Sequence, residues 1–87
     1  MPPVFIPPLL RELTAGKEQV EVAGKNVRQV IDCLEDQFPG VRQRLCSGST
    51  LKPGLSVAVG SNVSSLGLLQ KVDQDSEVHF LPAVGGG

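Results

Sequence analysis

Short strands are predicted wherever apolar and polar residues alternate along this 87-residue chain. The clearest alternation covers residues 19–22 and 55–59, and brief apolar segments at 4–6 and 78–81 are also typical of strands. In such a strand one side packs against a core and the other faces water. Pro82 follows the last segment and ends it, because proline cannot donate a hydrogen bond to a neighbouring strand.

Apolar residues at three- and four-residue spacing predict one main helix over residues 27–38. The residues that share its apolar face are Val27, Val30, Ile31, Leu34 and Phe38. Asn26 is a favourable N-cap, and the Pro-Gly pair at 39–40 ends the helix. Both ends of this helix are therefore marked in the sequence.

The stretches around the third strand are predicted to hold only small elements. Residues 41–45 fit one further helical turn, whereas the Ser, Gly and Pro residues at 47–50 and 53–54 predict an irregular connection. Val63 is expected in a brief edge strand. The leucine-rich segment 66–72 has no clean period, which favours a short helical turn packed over the end of the sheet.

The order of these elements predicts the fold class. In chain order they are strand, strand, helix, strand, small elements and strand. One main helix on one face of a mixed sheet defines an α+β fold, and this order is that of a β-grasp, or ubiquitin-like, domain. Because domains usually span about 50 to 250 residues, we expect a single domain over 1–82 and a flexible tail over 83–87.

Composition and size exclude several classes of function. The 8 basic and 9 acidic residues form no positive cluster, so nucleic acid is not expected as a ligand. The apolar segments are too short to cross a membrane, and the first residues do not resemble a signal peptide, so we expect a cytoplasmic protein. A domain of this size encloses little volume, which disfavours a self-contained enzyme.

The two cysteines do not predict metal or redox chemistry. Cys33 and Cys46 lack Cys-x-x-Cys spacing, and His79 is the single histidine, so a metal site would lack ligands. Two reduced thiols are favoured over a disulfide, because a cytosolic setting disfavours the bridge. We expect structural or incidental roles for both cysteines.

The last three residues, Gly85, Gly86 and Gly87, are the most informative feature of the sequence. Glycine has no Cβ, so such a tail can enter a channel that is too narrow for ordinary side chains. The segment 83–87 can extend about 17 Å, at roughly 3.3 to 3.6 Å per residue. A C-terminal carboxylate is ionised at neutral pH and can attack the α-phosphate of a nucleotide, which gives an acyl adenylate. The alternative is a chain end that simply frays.

The final strand and the tail together, Val78-His79-Phe80-Leu81 followed by Pro82-Ala83-Val84-Gly85-Gly86-Gly87, resemble the ubiquitin-like sulfur carriers of the ThiS/MoaD family. The resemblance covers nearly the whole chain and is greatest to the CysO-like branch, in which the carrier supplies sulfur for cysteine biosynthesis. The other short segments that carry it are Ile6-Pro7, Leu9-Leu10-Arg11, Gly16, Asn26-Val27 and Leu34-Glu35.

The resemblance implies a carrier protein that is itself no enzyme and binds no cofactor. An ATP-dependent activating enzyme of the ubiquitin-E1 type would adenylate Gly87 and so consume the ATP. A sulfurtransferase or persulfide donor would convert the adenylate to a thiocarboxylate, and a downstream synthase would accept the sulfur. The resemblance implies that Gly86 and Gly85 allow the slim tail to enter the activating enzyme. Gly85 departs from the Ala or Ser that is more usual at this position in the family.

Several alternatives remain open at this point. The biosynthetic pathway that receives the sulfur is that of cysteine, molybdopterin, thiazole or thiolated tRNA. A second hypothesis is a ubiquitin-like protein modifier, since an amine can capture the same adenylate and join Gly87 to lysines. A third is a plain binding domain with an incidental glycine tail.

Two residues outside the tail are candidate contacts with a partner. If Val4 faces the core, Phe5 faces outward, unless the Leu9-Leu10 loop covers it. His79 alternates with buried positions and is expected on the same outer surface, close to the tail. The alternative for His79 is an ordinary solvated strand residue, because a lone histidine without acidic or cysteine neighbours is rarely catalytic.

Overall fold

A computed structural model describes residues 1–63 and 66–82 of the chain. Its strands are β1 (Pro3–Phe5), β2 (Gln19–Glu21), β3 (Cys46–Ser47), β4 (Thr50–Leu51), β5 (Leu55–Val59), β6 (Asn62–Val63) and β7 (Val78–Pro82). Its α-helices are α1 (Val27–Gln37) and α2 (Val41–Leu45), and two short 3₁₀ helices cover Pro8–Leu10 and Gly67–Leu69. The predicted strands, the main helix, the short second helix and the turn near residue 68 are all present.

Five of these strands form one mixed sheet in the order β2-β1-β7-β5-β6. Strand β7 is central and runs parallel to β1 but antiparallel to β5. A parallel pair cannot be joined by a tight turn, so most of the chain lies between β1 and β7 and supplies the crossover. The sheet and its helix confirm the predicted α+β, β-grasp architecture.

The core lies between one face of the sheet and α1. Its side chains are almost entirely aliphatic, as the composition requires, and Phe80 is the aromatic member. The sheet contributes Val4, Val20, Val57, Val59, Val78 and Phe80, and α1 contributes Val27, Val30, Ile31 and Leu34. Burial of the predicted apolar face of α1 therefore holds the helix on the sheet.

The start of α1 is capped as predicted. The Asn26 side chain accepts a hydrogen bond from the Gln29 backbone N–H at 2.8 Å. The Gln29 side-chain oxygen in turn accepts one from the Lys25 backbone N–H, also at 2.8 Å. These bonds satisfy amide groups that have no partner within the helix.

Two details of the sequence prediction were wrong. The connection expected to be irregular over 47–50 contains the β3–β4 hairpin, in which Cys46 pairs with Leu51 and Ser47 with Thr50. The segment expected to be a loop at Leu9-Leu10 forms a 3₁₀ helix whose Leu10 is fully buried. Strands of two residues are too short for alternation to be visible, and a single buried leucine has no period.

The described helices include none that is both long and apolar enough to span a membrane.

Candidate functional site

The central strand of the sheet, β7, is the element that directly precedes the tail residues 83–87 in the chain. Val78 and Phe80 on β7 are buried in the core, and the strand is bonded on both sides, to β1 and to β5. The β5–β7 ladder runs up to the pair Leu55 and Pro82. The predicted site residues Gly85, Gly86 and Gly87 lie outside the described residues. The described part of the site is therefore the anchored strand and the surface around it.

Phe5 and His79 meet on the face of the sheet that points away from α1. They are register partners on β1 and β7, and their rings stack with centroids 4.3 Å apart and planes 6° from parallel. Both side chains are half-buried. Phe5 is thus covered in part by the histidine ring. The structure brings together two predicted contact residues that are 74 positions apart in the sequence.

A carboxylate fixes the histidine in this stack. The Nε2 atom of His79 lies 3.0 Å from Oε1 of Glu77, which is two residues earlier and therefore on the same side of the chain. Glu77 was not predicted as a site residue, although its two-residue spacing from His79 was a usable signal. The arrangement can orient a flat ring surface for binding.

Three apolar residues extend this surface across the sheet. Ala58 is the register partner of His79 on β5, and Val63 is the partner of Ala58 on β6. Leu81 follows His79 by two positions, and both Leu81 and Val63 are exposed. We call the set Phe5, Ala58, Val63, His79 and Leu81 the outer-face patch. Ala58, Val63 and Leu81 could not be predicted from the sequence as members of this patch, because their positions side by side depend on strand register.

Both cysteines are free thiols. Cys33 lies on α1 and Cys46 on β3. Burial raises the pKa of the Cys46 thiol, the Asp32 carboxylate adds to this effect, and the Arg42 guanidinium only partly opposes it. Cys46 is therefore a protonated thiol at neutral pH and a poor nucleophile. This agrees with the structural or incidental role expected for it.

Comparison with known proteins gives one family and a set of close relatives. The family model described as ThiS family matches residues 4–87 of the chain. The sulfur carrier protein CysO of Mycobacterium tuberculosis is 35% identical over 91 residues, which cover 97% of this chain and 96% of CysO. The match thus includes the tail as well as the folded domain.

Solved structures of similar proteins have the same fold. CysO in the crystal structure of the Amycolatopsis orientalis BexX/CysO complex is 34% identical, covers 100% of both chains and superposes with a TM-score of 0.90. The crystal structure of M. tuberculosis CysO is 30% identical over 97% of this chain, with a TM-score of 0.88. The small archaeal modifier protein SAMP1 of Haloferax volcanii, at 22% identity and a TM-score of 0.68, shares the fold alone.

Proposed function

The chain belongs to the ThiS family, and from this membership we infer that it is a sulfur carrier protein. The observation that carries the inference is the extent of the match, which runs through the folded domain to Gly87. The sulfur is carried as a thiocarboxylate on Gly87, the residue that corresponds to the end of the family match. The protein acts as a cosubstrate of other enzymes.

The chemistry on Gly87 needs no side chain of the carrier. Its carboxylate oxygen attacks the α-phosphate of ATP in the activating enzyme, pyrophosphate leaves, and an acyl adenylate forms. Hydrosulfide then attacks the acyl carbon, AMP leaves with the C–O bond electrons, and the thiocarboxylate remains. A thiocarboxylate is a better nucleophile than a carboxylate, so the sulfur can pass to an acceptor in the next enzyme.

The folded domain contributes by holding the start of the tail in a fixed place. Strand β7 is anchored by buried Val78 and Phe80, and it pairs with β1 at Val78 and His79 and with β5 as far as Pro82. Five residues then remain, which span at most about 17 Å when extended. The activating enzyme must therefore contact the domain while it holds Gly87, and Gly86 and Gly85 allow the tail to pass a narrow entrance.

We propose the outer-face patch as one surface that partners recognise. The stacked rings of Phe5 and His79 and the exposed side chains of Val63 and Leu81 suit contact with a protein, because such patches are uncommon on surfaces that stay in water. CysO of Amycolatopsis orientalis was crystallised in a complex with BexX, which is a precedent for a carrier of this type with a protein partner.

The identity to CysO favours cysteine biosynthesis as the pathway that receives the sulfur. The protein-modifier alternative is not favoured, because the archaeal modifier proteins share only the fold with this chain.

Intact mass measurement tests the proposal. The protein is incubated with its activating enzyme, ATP and sulfide, and the expected product has one oxygen replaced by sulfur at the C-terminus. Omission of ATP should abolish the change. Adducts joined to lysine would support the modifier, and an unaltered mass under every condition would contradict both.

Two tail variants test the assigned residues. Deletion of Gly87 and the substitution Gly86→Val are expected to abolish the mass change, because the first sets the terminal carboxylate back by one residue, about 3.3 to 3.6 Å, and the second widens the tail. The control is Ala23→Val, which adds bulk at an exposed site in the folded domain. Normal activation of the Gly86→Val protein would show that the enzyme does not require a slim tail.

A further inference from the structure

Two leucines near the Pro82 end of β7 are exposed to water. Leu69 is 73% exposed and Leu66 is 58% exposed, while Leu68 between them is buried. They lie three residues apart around the Gly67–Leu69 3₁₀ helix, and residues at this spacing in such a helix lie above one another. We call this pair of side chains the Leu66–Leu69 ridge. Adjacent exposed leucines are typical of surfaces that bind another protein.

The ridge forms one wall of an uncharged groove. This groove has a volume of about 430 Å³ and lies between the ridge, strand β4 and the first half of β5. Its polar lining consists of the hydroxyl-bearing residues Ser49, Thr50 and Ser56, and the rest of the lining is aliphatic apart from Gly67. A charged side chain would lose its hydration here without a partner, so the groove selects an apolar one.

The groove lies one strand away from the Pro82 end of β7. Its wall residues Leu55 and Val57 are the register partners of Pro82 and Phe80 on β7. Neighbouring strands are about 4.8 Å apart, and the tail beyond Pro82 extends at most about 17 Å. A protein that holds Gly87 must therefore lie close to the groove.

A second groove on the other side of the ridge carries charge. It has a volume of about 560 Å³, shares Leu69 with the first groove, and is lined by Arg28, Asp32 and Arg42. The Arg42 guanidinium pairs with Asp32, whereas Arg28 has no ion-pair partner among residues 1–63 and 66–82. This side of the ridge thus presents one uncompensated positive charge.

We propose that the activating enzyme docks on the Leu66–Leu69 ridge, placing an apolar side chain in the uncharged groove and a carboxylate beside Arg28. The proposal rests on the proposed function, since it concerns the enzyme that adenylates Gly87. Apolar contact at the ridge holds the enzyme near the Pro82 end of β7, which directly precedes the tail residues in the chain. The charge pair fixes its orientation, because complementary charges chiefly determine register and association rate.

Enzyme kinetics with paired variants test this docking site. ATP-dependent pyrophosphate release by the purified activating enzyme is measured against the concentration of the full-length carrier. Leu69→Lys is expected to lower kcat/KM about tenfold or more, mainly through KM, because it removes an anchor residue. The matched control is Leu9→Lys, at another leucine that is 45% exposed but lies outside the groove, and its effect should stay below about twofold.

A charge-reversal pair tests the second contact. Arg28→Glu is expected to lower kcat/KM and to reduce its dependence on salt, because the positive charge at the ridge is lost. Arg44→Glu, at an exposed arginine of α2 that lines neither groove, is the control and should behave like the unaltered carrier. Circular dichroism of each variant verifies that it remains folded.

The outcomes separate this proposal from the proposed function. If the unaltered carrier is never adenylated, the proposed function fails and the docking site fails with it. If the carrier is adenylated and Leu69→Lys is adenylated as efficiently, the docking site alone is wrong. If the unaltered carrier forms a dimer that Leu69→Lys dissociates, with adenylation unchanged, the ridge binds a second copy and the proposal is overturned.

Discussion

Ala15 adopts a backbone conformation that alanine rarely takes. Its φ is 56°, the one positive value among the described non-glycine residues, and Gly16 follows at 81°. In this region Cβ approaches the following carbonyl oxygen, at a cost of roughly 1 to 2 kcal/mol. Glycine has no Cβ and so removes this strain. Part of the gain in stability is offset, because glycine loses more conformational freedom on folding. We predict that Ala15→Gly raises the free energy of unfolding by about 0.5 to 1 kcal/mol, measured by urea denaturation.

Ala23→Gly is the control for this prediction. Ala23 is also an exposed alanine outside the helices and strands, but its φ is not positive. Here glycine adds only freedom to the unfolded chain, so stability should fall by several tenths of a kcal/mol or about 1 kcal/mol. Equal changes in the two variants would contradict the assignment of strain to Ala15.

Gly16 stands out in the sequence before the second strand, but nothing in the sequence indicates the positive φ of Ala15. Alanine has no side-chain feature that marks a left-handed position, whereas glycine at such positions is common. The turn before β7 is an example in which the residues adopt no such conformation. Gln74 in this turn does not have a positive φ, and the Asp73 carbonyl oxygen accepts a hydrogen bond from the Ser76 backbone N–H at 3.1 Å. Residue type thus indicates where a strained conformation is tolerated, but local geometry decides whether it occurs.

At the scale of the elements, Glu35 joins the end of α1 to the start of α2. Its carboxylate accepts hydrogen bonds from the backbone N–H of Arg42 at 2.8 Å and of Gly40 at 3.1 Å. Gly40 and Arg42 lie at the N-terminus of α2, where amide groups lack partners within the helix. These two bonds, with the bond to Arg42 the larger cause, hold the pKa of Glu35 below its usual value of 4.5.

This shift predicts how stability depends on pH. The lowered pKa means that the unfolded chain binds a proton at Glu35 before the folded chain does. The stabilisation is therefore complete well above pH 4.5 and is lost as pH falls through the folded-state pKa. We predict that Glu35→Gln weakens the fall in unfolding free energy below about pH 4.5, as followed by urea denaturation from pH 6 to pH 3.

Asp36→Asn supplies the comparison for Glu35→Gln. It removes one negative charge at the next position of α1, where the side chain makes neither of the two bonds to α2. The Asp36→Asn protein should therefore keep the pH dependence of the unaltered chain. An identical acid profile for all three proteins would show that the contacts of Glu35 are too weak in solution to matter.

Local signals explain why α1 could be predicted and the other elements only in part. Its apolar period, its N-cap Asn26 and its terminating Pro39-Gly40 all lie within or next to the helix. The bonds of Glu35 to α2 and the pairing of β3 with β4 depend on contacts between separate segments. Such contacts leave no period in the sequence, so the helix α2 was predicted but its attachment to α1 was not.

At the scale of the whole molecule, folding and sulfur chemistry are assigned to different parts of the chain. The core consists mainly of aliphatic side chains from the sheet and α1, while the proposed reactive group is the carboxylate of Gly87. The proposal for the glycine tail comes from the sequence alone, because a run of glycines has a direct chemical interpretation. Phe5 and His79 of the outer-face patch could also be predicted, but its other members and the Leu66–Leu69 ridge could not, because register and the fold bring those residues together.

Because of this separation, a variant of the core and a variant of the tail should have opposite effects on stability and on adenylation. Leu34→Ala removes a fully buried side chain of α1 and should lower the free energy of unfolding by about 2 to 5 kcal/mol. Adenylation, measured below the unfolding transition of the variant, should stay close to normal because Leu34 lines neither groove beside the tail. Deletion of Gly87 should do the reverse and abolish adenylation with no change in the unfolding curve.

Thermal unfolding and pyrophosphate release on the same preparations give both quantities for each protein. The comparison is informative because a site built into the core, like the active site of an enzyme, would lose activity and stability together. If Leu34→Ala abolished adenylation while folded, the activating enzyme would depend on the shape of the domain's interior. If loss of Gly87 lowered the unfolding temperature, the tail would be packed against the domain and would not be free to enter another protein.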